Sequence, residues 1–291
     1  MQQGERTLHR LEKIVAFVAV FAVLALTVGF AQAGEPITPE KVHLRSSVAL
    51  VQDAASGETI LAKNTDAVLP IASITKLMTA IVILDAGLEL GRRVVISSED
   101  LDALKGTRSR LRPGTALSRD ELLLLSLMAS ENRAAAALAR TYPGGTEVFV
   151  ATMNAKAQAL GMADTRFADP TGLSAENVSS AQDLARLVQA AHGYPVIRDY
   201  STRESATVRS LNRTLSFRNT NGLVRSASWD IGLSKTGYIS EAGRCLVMRV
   251  RVASRDLVVV LLDSWGKYSR IGDANRIRKW LESNAGAGRS G

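Results

Sequence analysis

Apolar positions divide the chain into strand-like ends around a helical middle. Ser46 to Asp53 (SSVALVQD) and Glu58 to Lys63 are short apolar-rich runs either side of Ala54-Ala55-Ser56-Gly57, and they predict a β-hairpin. Ser73 to Ala86 is apolar nearly all round and stops at Gly87, the pattern of a buried helix with a glycine terminus. Ser118-Arg119-Asp120-Glu121 forms a capping box that opens a leucine-rich helix through Met128, and Asn132 to Arg140 continues as an alanine-rich helix. Two more helices follow. One runs from Glu147 to Leu160 and ends at Gly161; the other runs from Ala181 to His192, capped by Ser180 with Asp183 and stopped by Gly193 and Pro195.

From Thr207 onward the runs shorten and become β-like: Arg213 to Arg218, Gly232 to Tyr238, Cys245 to Val252 and Asp256 to Leu262. An amphipathic helix from about Asp273 to Glu282 precedes the small-residue tail 285–291, expected to be disordered. Strands at both ends with helices between them predict an α+β fold. One antiparallel sheet would combine the N-terminal hairpin with the C-terminal strands (34–65 and 200–284), with a helical lobe (66–199) inserted. A functional site would lie between the lobes.

The first 33 residues stand apart from this plan. Arg6, Arg10 and Lys13 precede an uncharged apolar run from Ile14 to Phe30, and Ala31-Gln32-Ala33 follows as a small-x-small cleavage pattern. The reading is a secretory signal peptide cut after Ala33, hence a periplasmic protein without a stable membrane anchor after cleavage; an uncleaved anchor is the alternative. Residues 34–291 then carry 33 basic and 26 acidic side chains, a net +7 in place of +8 for the full chain. The bases are interspersed with acids and lack aromatic interleaving, so nucleic acid is not the expected partner. The densest basic stretch, Arg198 to Arg225, reads as a solvated face, with attraction to an acidic polymer as the functional alternative.

Composition narrows the chemistry. At 46% apolar and 22% charged, the chain can bury a core. Cys245 is the only cysteine, which excludes an intrachain disulfide or a zinc ribbon, and the three histidines (His9, His43, His192) form no H-E-x-x-H pattern. No cofactor is called for.

Three motifs occur in order: Ser73-Ile74-Thr75-Lys76, Ser130-Glu131-Asn132 and Lys235-Thr236-Gly237. They match the S-x-x-K, S-x-N and K-T-G set of penicillin-recognising serine enzymes. Ser264-Trp265-Gly266-Lys267 and Ser210-Leu211-Asn212 repeat two of the patterns, but in contexts that read as coincidence. Residues three apart on a helix share a face, so the Ser73 hydroxyl and the Lys76 amine can meet. A lysine on so apolar a helix is desolvated, which disfavours the ammonium and suits Lys76 to act as a base near neutral pH. Ser130 can relay a proton to a leaving amine, and Asn132 can orient Lys76 and bind a substrate amide. Lys235 and Thr236 can hold a carboxylate, Gly237 allows close backbone approach, and the N–H groups of Ser73 and Tyr238 could stabilise an oxyanion. Taken one at a time, each motif also fits a structural role: a helix cap, a snorkelling lysine or a surface turn.

At these residues the chain resembles the S11 family of D-alanyl-D-alanine peptidases, the low-molecular-mass penicillin-binding proteins. Pro70-Ile71-Ala72, Tyr142 to Gly145, Asp169 to Ser174, Phe217 to Asn221 and Ala242 to Met248 are similar in particular to the penicillin-binding protein 7 type endopeptidases. The resemblance implies the serine β-lactamase/DD-peptidase fold and cleavage of D-alanyl cross-links between peptidoglycan stem peptides. It also implies a Ser73 acyl-enzyme that β-lactams trap. Carried over by position, Ser73 is the nucleophile, Lys76 the base, Ser130 and Asn132 the second motif, and Lys235, Thr236 and Gly237 the third. The chain ends 54 residues after Gly237, which suits the short members of the family. A D,D-carboxypeptidase, a β-lactamase and a non-catalytic wall-binding protein share parts of this pattern. The sequence holds no E-x-x-L-N-like segment of the kind that activates the deacylating water in class A β-lactamases.

Overall fold

The computed structural model describes residues 42–287. The expected signal segment at 1–33 lies outside them. Five antiparallel strands form the main sheet: β1 (Ser46–Asp53), β2 (Thr59–Lys63), and the C-terminal β9 (Asp230–Ile239), β10 (Gly243–Val252) and β11 (Arg255–Ser264), in the order β2-β1-β11-β10-β9. Chain ends far apart in sequence thus pair side by side, Leu50 opposite Val260 and Val51 opposite Val259.

Strand periodicity assigns the two faces. Val48, Leu50, Val247, Val258 and Val260 face a large core shared with the helices, while Ala49, Val51, Leu246, Met248, Val259 and Leu261 face a second, smaller core. Both faces are covered, so β10 and β11 read as continuous apolar runs rather than alternating ones.

The helices between these strands follow their sequence signals closely. After β3 (Leu69–Pro70) and a 3₁₀ turn at Ala72–Thr75 comes α1 (Lys76–Asp85), with nearly every residue buried. β4 (Arg93–Val95) pairs with β5 (Ala116–Ser118), which leads into α2 (Arg119–Met128). Both bonds of the capping box are made: Glu121 N–H donates to Ser118 Oγ at 3.0 Å, and Ser118 N–H to Glu121 Oε2 at 2.7 Å. Then follow α3 (Asn132–Arg140), α4 (Gly145–Ala159), β6 (Val178–Ser179) and α5 (Ala181–His192).

Three expectations need correction. The helix at Ala181–His192 stops before Gly193 and Pro195 as expected, but the strands do not follow directly: Pro195 occupies the first turn of a further helix not read from the sequence, α6 (Pro195–Thr202), where its missing N–H costs nothing. The strand at Arg213–Arg218 stays out of the main sheet: as β8 it pairs only with β7 (Ser205–Ser210). The last helix, α7 (Ser269–Ala287), begins earlier than expected and runs three residues into the stretch taken as a disordered tail. Residues 288–291 lie outside the described chain. Among the described residues no helix is long and apolar enough to cross a membrane.

A buried polar knot locks α7 to the sheet. Asp273 is fully buried and accepts from the backbone N–H groups of Arg45 (3.0 Å) and Ser46 (2.7 Å) and from Ser46 Oγ (2.5 Å), and Ser46 Oγ also meets Ser264 Oγ. Removing the carboxylate would leave those donors dry. Asp273→Ala is therefore expected to lower the unfolding free energy by about 3 kcal/mol, measured by denaturant titration, and a loss below about 1 kcal/mol would contradict the knot.

Candidate active site

Ser73 lies half-buried in the 3₁₀ turn that precedes α1, not on the α-helix itself. Ala72 immediately before it has φ +47°, a left-handed conformation unfavourable for a residue with a Cβ. Two glycines hold this turn from outside. A Cβ on Gly172 would lie 2.0 Å from Ala72 O, and a Cβ on Gly237 would lie 2.9 Å from Ile71 O and 3.1 Å from Ser73 N. The β9 edge therefore passes against the backbone N–H of Ser73, and glycine is required at both contacts.

Lys76 begins α1, one turn after Ser73, and its side chain is fully buried. Its Nζ lies 2.8 Å from Ser73 Oγ and 2.8 Å from Asn132 Oδ1, and it also donates to Thr171 O. Burial pulls its pKa down to about 7, opposed by the more distant charges of Asp169, Glu131 and Asp102. At that value much of the amine is neutral at physiological pH. Its lone pair can face Ser73 Oγ while its two hydrogens go to Asn132 and Thr171, neither of which offers it a proton.

Ser130 and Asn132 stand at the junction of α2 and α3, where Ser130 takes φ +57°. Lys235 on β9 is 1% exposed and donates from Nζ to Ser130 Oγ at 2.9 Å. Burial, and then the charges of Lys76 and Arg270, hold its pKa well below the ordinary lysine value. The three motifs are thus tied by two strings of contacts, from Ser73 through Lys76 to Asn132 and from Ser130 to Lys235, which meet in the Ser130–Asn132 segment. Thr236 Oγ1 donates to Thr220 Oγ1 at 2.6 Å, and Tyr238, just beyond Gly237, is exposed. Every residue singled out in the motifs is in this region. Cys245 is buried in β10, where burial pushes its thiol up to about 11, as befits a packing residue.

Several participants were not assigned a role from sequence. Thr171 contributes a main-chain carbonyl, which no side-chain pattern can announce. Its loop is shaped by Asp169, whose Oδ1 accepts from Thr171 N (2.6 Å) and Gly172 N (2.9 Å) and whose Oδ2 accepts from Ser174 N (2.8 Å). Asp followed by Thr and Gly is a turn signature, and that was the available signal. Asn132 Nδ2 donates to Thr107 Oγ1 at 3.0 Å, and Thr107 Oγ1 donates to Asp102 Oδ2 at 2.6 Å, which fixes the Asn132 oxygen toward Lys76. Lys105 of the same loop pairs with Glu241 in the β9–β10 turn. Arg270 from α7 donates to Gly237 O at 2.8 Å and Cys245 O at 3.2 Å, bracing the β9 edge. A cavity of about 270 Å³ opens beside Asn132 and Thr171, lined also by Asp102, Leu104, Asp169 and Leu173.

Residues 35–265 match the peptidase S11 family, described as D-alanyl-D-alanine carboxypeptidase. The chain belongs to the peptidase S11 family. It is 46% identical over 275 residues to the D-alanyl-D-alanine endopeptidase of Pseudomonas aeruginosa, covering 93% of this chain and 89% of that one. To the D-alanyl-D-alanine endopeptidase of Escherichia coli it is 46% identical over 248 residues, 84% of this chain and 80% of the other. Among solved structures, the Streptomyces K15 DD-transpeptidase is similar with a TM-score of 0.76 at 26% identity, over 81% of this chain and 97% of that chain. The D-alanyl-D-alanine carboxypeptidase of Mycobacterium tuberculosis is similar with a TM-score of 0.74 at 29% identity, over 82% and 91% of the two chains. The α+β fold expected from the strand, helix, strand order is that of these S11-like enzymes. In this S11 chain Glu176 pairs at the surface with Arg166 at 3.3 Å and is not among the contacts of Ser73 or Lys76.

The contact at Gly172 yields a test. Gly172→Ala forces a methyl into the Ala72 backbone and is expected to cost about 3 kcal/mol of stability. Gly161→Ala, at a similar φ of +70° but with nothing within 4 Å, carries only the conformational penalty. That penalty is about 1 kcal/mol. Equal losses in the two variants would remove the argument that Gly172 supports the Ser73 turn.

Proposed function

We propose that this chain is a serine D-alanyl-D-alanine endopeptidase that hydrolyses cross-links between peptidoglycan stem peptides through an acyl-enzyme on Ser73. The observation that carries the reading is the buried Lys76 amine 2.8 Å from Ser73 Oγ, with its pKa lowered to about 7. The endopeptidase choice, rather than the carboxypeptidase of the family description, rests on the 46% identity to two endopeptidases against 32% to the carboxypeptidase DacF of Bacillus subtilis. The periplasm as site of action follows from the expected signal segment and from the substrate.

In this reading Lys76 takes the hydroxyl proton as Ser73 Oγ adds to the D-alanyl carbonyl carbon. The negative charge that forms on the carbonyl oxygen lies between the N–H groups of Ser73 and Tyr238. Collapse breaks the C–N bond, and the departing amine takes the hydroxyl proton of Ser130, positioned by Lys235, while the proton held on Lys76 replaces it, so that Lys76 is neutral again. Water then adds to the ester and releases Ser73. Thr236 and Lys235 hold a substrate carboxylate, and Asn132 binds an amide of the stem peptide. In a β-lactam the departing nitrogen stays tethered through the ring, so the acyl-enzyme persists and the antibiotic acts as an inhibitor.

Purified protein incubated with cross-linked muropeptide dimers should convert them to monomers by mass analysis; loss of only a terminal alanine from pentapeptides would assign carboxypeptidase activity instead. A fluorescent penicillin should label the protein, with labelling abolished in Ser73→Ala. Lys76→Arg keeps the charge but cannot give up its proton, so acylation is expected to fall by more than about a hundredfold. Because the base must be neutral, acylation should drop about tenfold per pH unit below pH 7 and level off above it. A profile flat between pH 5 and 8 would contradict the role given to Lys76.

A further inference from the structure

The exposed aromatic side chains among the described residues are Tyr238 (57% exposed), Trp265 (80%) and Tyr268 (70%); Tyr238 and Trp265 line one groove, and Tyr268 follows Lys267 of that groove in the chain. Strand register explains the shared groove. Tyr238 on β9 lies opposite Arg244 on β10, and Arg244 lies opposite Ser264 on β11, so the row runs outward from Gly237 to Ser264, and Trp265 is the next residue of the chain. Three neighbouring strands span about 10 Å, close to the length of a disaccharide. A groove of about 350 Å³ follows this row, lined by Tyr238, Arg244, Asp263, Trp265 and Lys267.

The corner is held in place. The Arg244 guanidinium lies 4.5 Å from the Tyr238 ring centre, and Lys267 Nζ lies 5.4 Å from that of Tyr268. Gly266, at φ +88°, turns the chain, with Ser269 N–H donating to Gly266 O at 3.3 Å and Ser269 Oγ donating to Trp265 O. Asp263, the acidic residue lining the groove, accepts from Ser47 Oγ at 2.7 Å, so its carboxylate is turned toward β1, and with Arg244 and Lys267 the lining carries two cations against one anion. The rings are separated by polar groups and do not merge into the contiguous apolar patch expected of a protein interface. Ring faces flanked by hydroxyls and cations suit a sugar, whose C–H face stacks while its hydroxyls bond at the edge.

We infer that this corner is a subsite for the glycan strand that carries the stem peptides, with sugar rings on Trp265 and Tyr268 and Arg244 and Lys267 meeting carboxylates of the attached peptides. It rests on the peptidase reading above and extends it: the peptide enters between the motifs, and the strand bearing it continues past Tyr238. The Ser264-Trp265-Gly266-Lys267 repeat of the S-x-x-K pattern thereby acquires a binding role without a catalytic one.

The test uses the full protein. In a Ser73→Ala background, which retains but does not cleave, Trp265→Ala with Tyr268→Ala should weaken co-sedimentation with insoluble peptidoglycan by roughly tenfold. Peptide-free glycan fragments should compete for that retention. With Ser73 intact, the double variant should hydrolyse the insoluble polymer more slowly by a similar factor, while penicillin labelling and cleavage of glycan-free stem-peptide dimers stay at wild-type levels. Trp265→Phe should keep retention, and Trp265→Leu, which has bulk without a ring face, should lose it. Unchanged retention overturns the inference, and so does an equal loss on glycan-free dimers, which would make the corner a peptide rim. A wild-type protein that neither takes penicillin nor opens dimers would overturn the peptidase reading itself, whatever the sedimentation result.

Discussion

An ammonium group sealed from water without a carboxylate in hydrogen-bond reach is the constraint on which the site depends. Lys76 is fully buried, and its partners are a hydroxyl, a carboxamide oxygen and a main-chain carbonyl. A carboxylate at that distance would hold the proton on the amine, whereas neutral acceptors satisfy it without offsetting the loss of hydration. The fold therefore has to supply acceptors of one kind from three separate places: the turn before α1, the start of α3 and the 168–177 loop. The residues around the site are organised to keep each acceptor where it is.

Backbone strain is part of that organisation. Ala72 and Ser130 both take left-handed conformations, one beside the Ser73 hydroxyl and one carrying the hydroxyl that meets Lys235. Such conformations persist only where the surroundings over-determine them. At Ala72 the surroundings are Gly172 and Gly237, which bring two other segments into contact with its backbone. At Ser130, the neighbouring Met128 carbonyl accepts from Thr220 N–H at 3.1 Å, and Thr220 in turn meets Thr236 of β9. Sheet edge and helical segments are thereby cross-linked at the two points where the geometry of the hydroxyls matters.

Local signals proved readable where a local cause exists. The capping box at Ser118, the apolar run of α1 and the cap at Ser180 placed α2, α1 and α5 within a residue or a few of their observed limits, because caps and periodicity are properties of a few neighbouring residues. The pairs β3–β6 and β4–β5 have two or three residues per strand, too few to establish a period, and went unread. Pro195 illustrates an ambiguity of another kind: the same residue that stops one helix is well suited to begin the next.

The amino-acid order alone carried the three motifs, their sequence, the likeness to S11 peptidases and the apolar setting that lowers the basicity of Lys76. These are statements about residue types and short spacings. Folding decided that Ser130 and Lys235, 105 positions apart, share a hydrogen bond, and that a carbonyl from Thr171 and a carboxamide oriented by Thr107 complete the lysine's shell. It also decided that β8 leaves the main sheet and that Tyr238, Arg244 and Trp265 form one corner. Those outcomes depend on strand register and on the approach of distant backbone segments. A one-residue slip would exchange the faces of a strand, and nothing in a strand's own sequence says which neighbour it will meet.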